Sequence, residues 1–152
     1  KIALFSKSLV GDLAIFDLET RSFTNLIEDK AITGLKWSPD SQRLAFTILE
    51  NNENQLYKAD LVGNQSKKID LKTSIDRLAW TEDSNFLTLA IPAEGGQDKF
   101  IRFDIRSGEQ INYVYTATDP IRVSRLIVNS DEASIIFQSN DRLYTLILQT
   151  EN

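Results

Sequence analysis

The chain has 152 residues, enough to bury one sizeable core, and its apolar and charged fractions (41% and 26%) are those of an ordinary globular domain. Its formal charge of −5 argues against a nucleic-acid module, which needs a basic stripe to follow phosphates. It has neither Cys nor His. Disulfides, thiolate or imidazole metal centres, Ser-His-Asp triads and Cys-His pairs are therefore impossible within these residues.

In chain order, Ile2–Phe5, Leu13–Leu18 and Ser22–Ile27 are expected as three strands. A longer unit then begins. Leu35-Lys36-Trp37 is a short strand, and the turn Ser38-Pro39-Asp40-Ser41 follows it. Pro presets the first central position of a type I turn, and Asp and Ser bond their own backbone there. Arg43–Ile48 alternates Leu44, Phe46 and Ile48 with Arg43, Ala45 and Thr47, a period of two that marks a strand. Leu56–Leu61 and Ser66–Leu71 complete a four-strand unit, labelled a to d. The unit recurs. Leu78–Trp80, Phe86–Ile91, Phe100–Ile105 and Gln110–Tyr115 form the next copy. Leu126–Val128, Ser134–Gln138 and Leu143–Leu146 form a more worn one, with Asn129-Ser130-Asp131-Glu132 at its a–b turn.

Trp37 to Trp80 is 43 positions and Trp80 to Val128 is 48. Asp17, Asp60 and Asp104, at the ends of the c strands, are spaced by 43 and 44. Strand content at such a period is the signature of propeller blades. The expected architecture is all-β: a β-propeller segment of about four antiparallel four-stranded blades, covering approximately 1–31, 32–74, 75–120 and 121–152. The first blade lacks strand a and the last lacks strand d. No helical apolar spacing competes, and no apolar run approaches the ~20 residues of a membrane span, so no membrane insertion by this segment is expected.

The string Leu35-Lys-Trp-Ser-Pro-Asp-Ser-Gln-Arg-Leu-Ala-Phe46 resembles the WD40-like repeat of TolB-type β-propellers, and so does the strand ending Tyr57-Lys-Ala-Asp-Leu-Val-Gly63. The resemblance covers essentially the whole chain and weakens in the fourth copy, where Val128 and Asn129 replace the aromatic residue and Ser. Ser41 and Ser84 stand where that repeat usually has Gly. The resemblance implies a bacterial-type protein, a periplasmic or extracytoplasmic setting, and membership of a six- to eight-bladed ring. Because Met is absent even at position 1, the chain is expected to be an excised or processed piece of a longer one. If it is not a fragment, self-association is the expected way to cover its terminal blades.

The repeated acidic positions argue against catalysis. Asp17, Asp60 and Asp104 are equivalent by repeat, as are Asp40, Asp83 and Asp131. Catalytic groups are seldom equivalent in every repeat, whereas turn residues are. Trp37 and Trp80, each two residues after a Leu, are expected in core packing. Glu50-Asn51-Asn52-Glu53-Asn54 and Glu94-Gly95-Gly96-Gln97-Asp98 are oxygen-rich but lack the ligand spacing of a dedicated Ca²⁺ site, so they are expected as polar hairpin loops. No cofactor is implied. With Ser6–Asp12 and the d–a connections (Glu28–Ala31, Lys72–Ser74, Ala117–Pro120), these b–c loops vary between copies. Variable loops on a regular scaffold are where recognition is usually placed. Glu50, Asn52, Glu53, Glu94, Gln97 and Asp98 are the candidate partner-binding residues. The expected role is a non-catalytic scaffold for a protein or peptide. Two alternatives stand beside it. One is the substrate-gating propeller of a prolyl-oligopeptidase-type serine peptidase, with the catalytic domain outside this chain. The other is the sensory ectodomain of a membrane-anchored regulator.

Overall fold

Alternating apolar positions become strands throughout. A computed structural model describes residues 1–6, 10–113, 115, 120–128 and 134–147. Among them are fourteen strands and no α-helix. In chain order the strands are β1 (Ile2–Phe5), β2 (Gly11–Asp17), β3 (Ser22–Lys30), β4 (Ile32–Trp37), β5 (Arg43–Glu50), β6 (Glu53–Asp60) and β7 (Gln65–Lys72). Then come β8 (Leu78–Trp80), β9 (Phe86–Pro92), β10 (Asp98–Asp104), β11 (Gln110–Tyr113), β12 (Arg125–Val128), β13 (Ser134–Ser139) and β14 (Arg142–Ile147). They pair antiparallel into four sheets ordered β1-β2-β3, β4-β5-β6-β7, β8-β9-β10-β11 and β12-β13-β14. This is the b-c-d, a-b-c-d, a-b-c-d, a-b-c phasing of a partial propeller. The a–b turn at 129–132 lies outside the described residues.

Several strands start or end differently from the sequence reading. Strand β6 begins at Glu53 and β10 at Asp98, each before its first apolar residue. Strand β3 runs to Lys30, so only Ala31 separates it from β4. Strand β11 ends at Tyr113, before Tyr115. Ladder hydrogen bonds set these bounds, and polar side chains do not prevent a backbone from pairing.

The chain divides into two compact units. The first holds Lys1–Trp37 and Ser41–Ile75; the second holds Ser38–Asp40 and the residues from Asp76 onward. In the first, Leu13 and Ile15 of β2 pack with Ile32, Leu44, Phe46, Ile48 and Ala59 of the neighbouring sheet, with Leu35, Trp37 and Tyr57 at the margin. In the second, Ala90 and Phe100 pack with Leu126, Ile135 and Phe137, and the Phe100 and Phe137 rings lie 5.0 Å apart. Each of the Leu, Ile and Phe side chains contributes about 1.5–3 kcal/mol on burial. Sheet-on-sheet packing is thus the unit of stability. Trp80 is also buried.

The three described c–d turns share one design. Asp17 Oδ1 accepts the Glu19 and Thr20 N–H groups, Asp60 Oδ1 accepts that of Val62, and Asp104 Oδ1 accepts those of Arg106 and Ser107. Four residues after each Asp, Arg21, Asn64 and Gly108 take positive φ (55°, 49° and 81°). The a–b turns are built alike. Ser38 Oγ donates to Asp40 Oδ1 at 2.5 Å and Thr81 Oγ1 to Asp83 Oδ1 at 2.6 Å, while Ser41 and Ser84 sit at φ 58° and 62°. Left-handed backbone explains why Gly is usual there. Asp17, Asp40, Asp60, Asp83 and Asp104 are all engaged in turns.

Candidate functional site

The b–c ends behave differently from these turns. In the second sheet Glu50 pairs directly with Glu53. The connection is therefore only Asn51-Asn52, at φ 50° and 64°. Two consecutive left-handed residues match the twist of a hairpin, and Asn tolerates that backbone. The five-residue loop expected over 50–54 is corrected to this two-residue turn. The fourth sheet repeats it: Ser139 pairs with Arg142 across Asn140-Asp141, at φ 48° and 60°. That turn was not among the candidate loops, although an Asn-Asp pair between alternating apolar runs is a hairpin signal. In the third sheet Pro92 pairs with Asp98, and residues 93–97 form a true loop carrying a single 3₁₀ turn at Glu94–Gly96. Part of the first sheet's b–c connection, 7–9, lies outside the described residues.

Two candidate carboxylates are held in place from their own sheet. Glu50 Oε2 lies 2.6 Å from Lys68 Nζ, and its Oε1 accepts the Tyr57 hydroxyl at 2.7 Å. These bonds, Lys68 first, hold the Glu50 carboxyl below the usual range. Burial, and then the Glu50 carboxylate, push the Tyr57 phenol up to about 12. Glu53 lies 2.5 Å from Lys72, whose ammonium is raised by that bond. Asn52 and Glu53 are exposed and Glu50 is half-buried. The first unit thus presents a fixed acidic rim with neutralising lysines behind it.

In the second unit Glu94 and Gln97 are exposed on the 93–97 loop, but Asp98 is not a surface residue. Its side chain is buried, with Oδ1 2.5 Å from Arg77 Nη2 and Oδ2 accepting the Val123 N–H at 2.6 Å. Its backbone N–H donates to Ile121 O at 2.7 Å, and its carbonyl accepts the Tyr115 hydroxyl. Asp98 therefore ties strand c to the segment that enters the fourth sheet. Its place among the candidate binding residues is corrected to a structural one. Nothing adjacent in sequence announced this, because Arg77 is 21 positions upstream and Val123 is 25 downstream. Arg122 Nε donates to Gly96 O at 2.8 Å and braces the same loop. Among the described residues no group of three acidic side chains could hold a metal ion.

The arrangement of sheets is shared with solved propellers. TolB from Acinetobacter baumannii superposes with a TM-score of 0.68 at 15% identity, over 95% of this chain and 38% of that one. The fold is that of a TolB-like β-propeller segment. The tricorn protease matches at 0.66 and 12% identity, over 89% of this chain and 14% of that one. The β-propeller domain of the Trilobed protease from Pyrococcus furiosus, described as having an open velcro topology, matches at 0.55 and 20% identity, over 98% and 59%. The chain thus spans well under half of the first two. No protein-family model and no curated protein matches the sequence.

Proposed function

We propose that this TolB-like segment is a non-catalytic scaffold that binds a protein or peptide through the b–c ends of its sheets. The supporting observation is the contrast between sheet ends. The described c–d turns share one capped geometry, whereas the b–c connections of the second to fourth sheets are two different two-residue turns, Asn-Asn and Asn-Asp, and a five-residue loop. In the first unit the contact residues are Glu50, Asn52 and Glu53; in the second they are Glu94 and Gln97. The chain supplies neither imidazole nor thiol. A peptidase reading is kept as an alternative because protease propellers are among the matched structures. In that case these ends would meet substrate peptides, and the catalytic groups would lie outside the segment.

Site-specific photocrosslinking in cells that express the protein tests this. A crosslinker at Asn52 or Gln97 is expected to capture a discrete partner, whereas one at the exposed c–d turn residue Val62 is not. Equal capture at all three positions would overturn the assignment of the b–c ends.

A further inference from the structure

Strand ends in the first unit bring exposed apolar side chains together. Gly11 of β2 pairs with Lys30 of β3, which sets Val10 and Ala31 beside one another at the next step. Ala31 O in turn accepts the Leu49 N–H at 2.8 Å. Val10 is 64% exposed and Leu49 38%, and Ala31 is half-buried. The three form a small apolar seam beside the Asn51-Asn52 turn. This exposure does not depend on where the chain begins. Glu53 stands three residues before Leu56 as Val10 stands before Leu13, and it is exposed although its sheet packs on the first. Pro92 and Asn140 occupy the position of Leu49, and both are exposed. What sets the first unit apart is an apolar pair, Val10 with Leu49, where the second unit has Gln97 and Asn140.

The charges around the seam select what can lie on it. Among the described residues, Asp12, Glu28 and Asp29 border it without a cationic partner. Asp12 Oδ1 accepts the Asp29 N–H at 3.1 Å, and Glu28 Oε1 accepts the Asn25 side-chain amide at 2.9 Å. The lysines at this end are engaged elsewhere: Lys68 with Glu50, Lys72 with Glu53, and Lys30 close enough to Glu50 to help hold its carboxyl low. Uncompensated carboxylates beside an apolar spot attract a cationic side chain and reject an acidic one. We propose that the Val10–Ala31–Leu49 seam docks an extended segment of a partner protein that carries an apolar side chain flanked by Lys or Arg. The apolar residue sits on Val10 and Leu49, and its basic neighbours meet Asp12, Glu28 and Asp29. This rests on the b–c reading above and adds the chemistry of the partner.

Fluorescence anisotropy with short labelled peptides tests it, using alternating Leu-Lys, Ser-Lys and Leu-Glu sequences. The chain is expected to bind the Leu-Lys peptide about tenfold more tightly than either of the others. Leu49→Ser should weaken that binding about tenfold. Glu28→Gln with Asp29→Asn should weaken it as well and reduce its dependence on salt. All three sites are exposed, so circular dichroism should show the fold retained. Glu19→Gln with Glu109→Gln, at the c–d ends, should leave binding unchanged. Equal affinity for the Leu-Lys and Ser-Lys peptides would overturn the proposal, reducing it to attraction of any cation to an acidic chain. Equal loss from the Glu19 and Glu109 changes would do the same. The crosslinkers at Asn52 and Val62 separate this proposal from the reading beneath it. Capture at Asn52 without a Leu-Lys preference sinks the seam and leaves the b–c ends standing, whereas equal capture at Val62 overturns the b–c reading and the seam with it.

Discussion

Replacing Asp98 with Ala removes an anion from a site built around it. The carboxylate is buried and within 2.5–2.6 Å of both Arg77 Nη2 and the Val123 N–H. Truncation leaves the Arg77 guanidinium, itself mostly buried, without its counter-charge. Breaking a buried pair from one side costs about 3–5 kcal/mol. The Val123 N–H also loses its acceptor, and an orphaned buried donor accounts for about 1–3 kcal/mol of such a loss. Against a domain stability of about 5–15 kcal/mol, this is a large fraction. Asn at the same position keeps an acceptor for Val123 but not the charge, so Asp98→Asn should be milder than Asp98→Ala. Removing both partners, as Arg77→Met with Asp98→Leu, should be milder than the sum of the single changes, because no charge is left uncompensated.

Urea unfolding followed by circular dichroism measures these chains together with the single changes Arg77→Met and Asp98→Leu. The order expected is wild type, then Asn, then Ala, with the double change less costly than additivity predicts. A loss below about 1 kcal/mol for Asp98→Ala would refute the reasoning and return Asp98 to the surface.

The remaining predictions concern turns, a close contact and titration. Ser41→Gly should stabilise by up to about 1 kcal/mol in thermal melts, because Ser41 is exposed at φ 58°. Ser84→Gly should instead destabilise, because Ser84 is buried and its Oγ accepts the Asp40 N–H at 3.0 Å. Gly34→Ala should cost about 1–3 kcal/mol in the same melts, since its Cβ would come within 2.5 Å of Ile75 Cγ2. Asp17, Asp104 and Glu50 have carboxyls lowered by hydrogen bonds, from Thr20, Ser107 and Lys68 first. Their contribution is present above the unfolded-state values of about 4 and is lost as pH falls through the folded ones. Stability should therefore drop below pH ~4, and Asp104→Asn should flatten that drop in acid titrations. Ultraviolet titration should place the Tyr57 phenol at about 12 and show it lower in Glu50→Gln.

Strand phase was legible because alternation and turn chemistry agree: Leu44, Phe46 and Ile48 face one core, and Asp60 closes the strand that Asp17 and Asp104 close elsewhere. What was not legible is the polar start of strand c. Glu53-Asn54-Gln55 looks like loop, yet the stretch continues the ladder. Its Gln55 is buried with the Nε2 amide donating to the carbonyls of Ile69 and Leu71. Asp98 misled for the same reason, since a carboxylate beside two glycines resembles a loop tip until Arg77 is folded against it. Glu50, Asn52, Glu53, Glu94 and Gln97 were identified from loop variability alone. Lys68 and Lys72, the partners of Glu50 and Glu53, come into view only through strand pairing.

A scaffold of this kind separates two demands that compete within one chain. Stability is carried by sheet faces, where Leu13, Phe46, Phe100 and Phe137 leave little freedom to change. It is carried also by the described a–b and c–d ends, where c–d Asp side chains accept turn backbone N–H groups and a–b Asp side chains accept the hydroxyl two residues before them. The b–c ends carry no such repeated cap. An Asn-Asn turn, an Asn-Asp turn and a five-residue Gly-containing loop all close equivalent strands. Sequence change at these ends leaves the core contacts intact, while a change at Leu13 does not. Asp98 marks the boundary between the two regimes. It sits at the base of the longest b–c loop among the described residues, where its buried carboxylate is held by Arg77 and the Val123 N–H. Under the proposed function, substitutions at Glu94 or Gln97 should lower partner crosslinking at little cost in melting temperature, and those at Asp98 should lower melting temperature first.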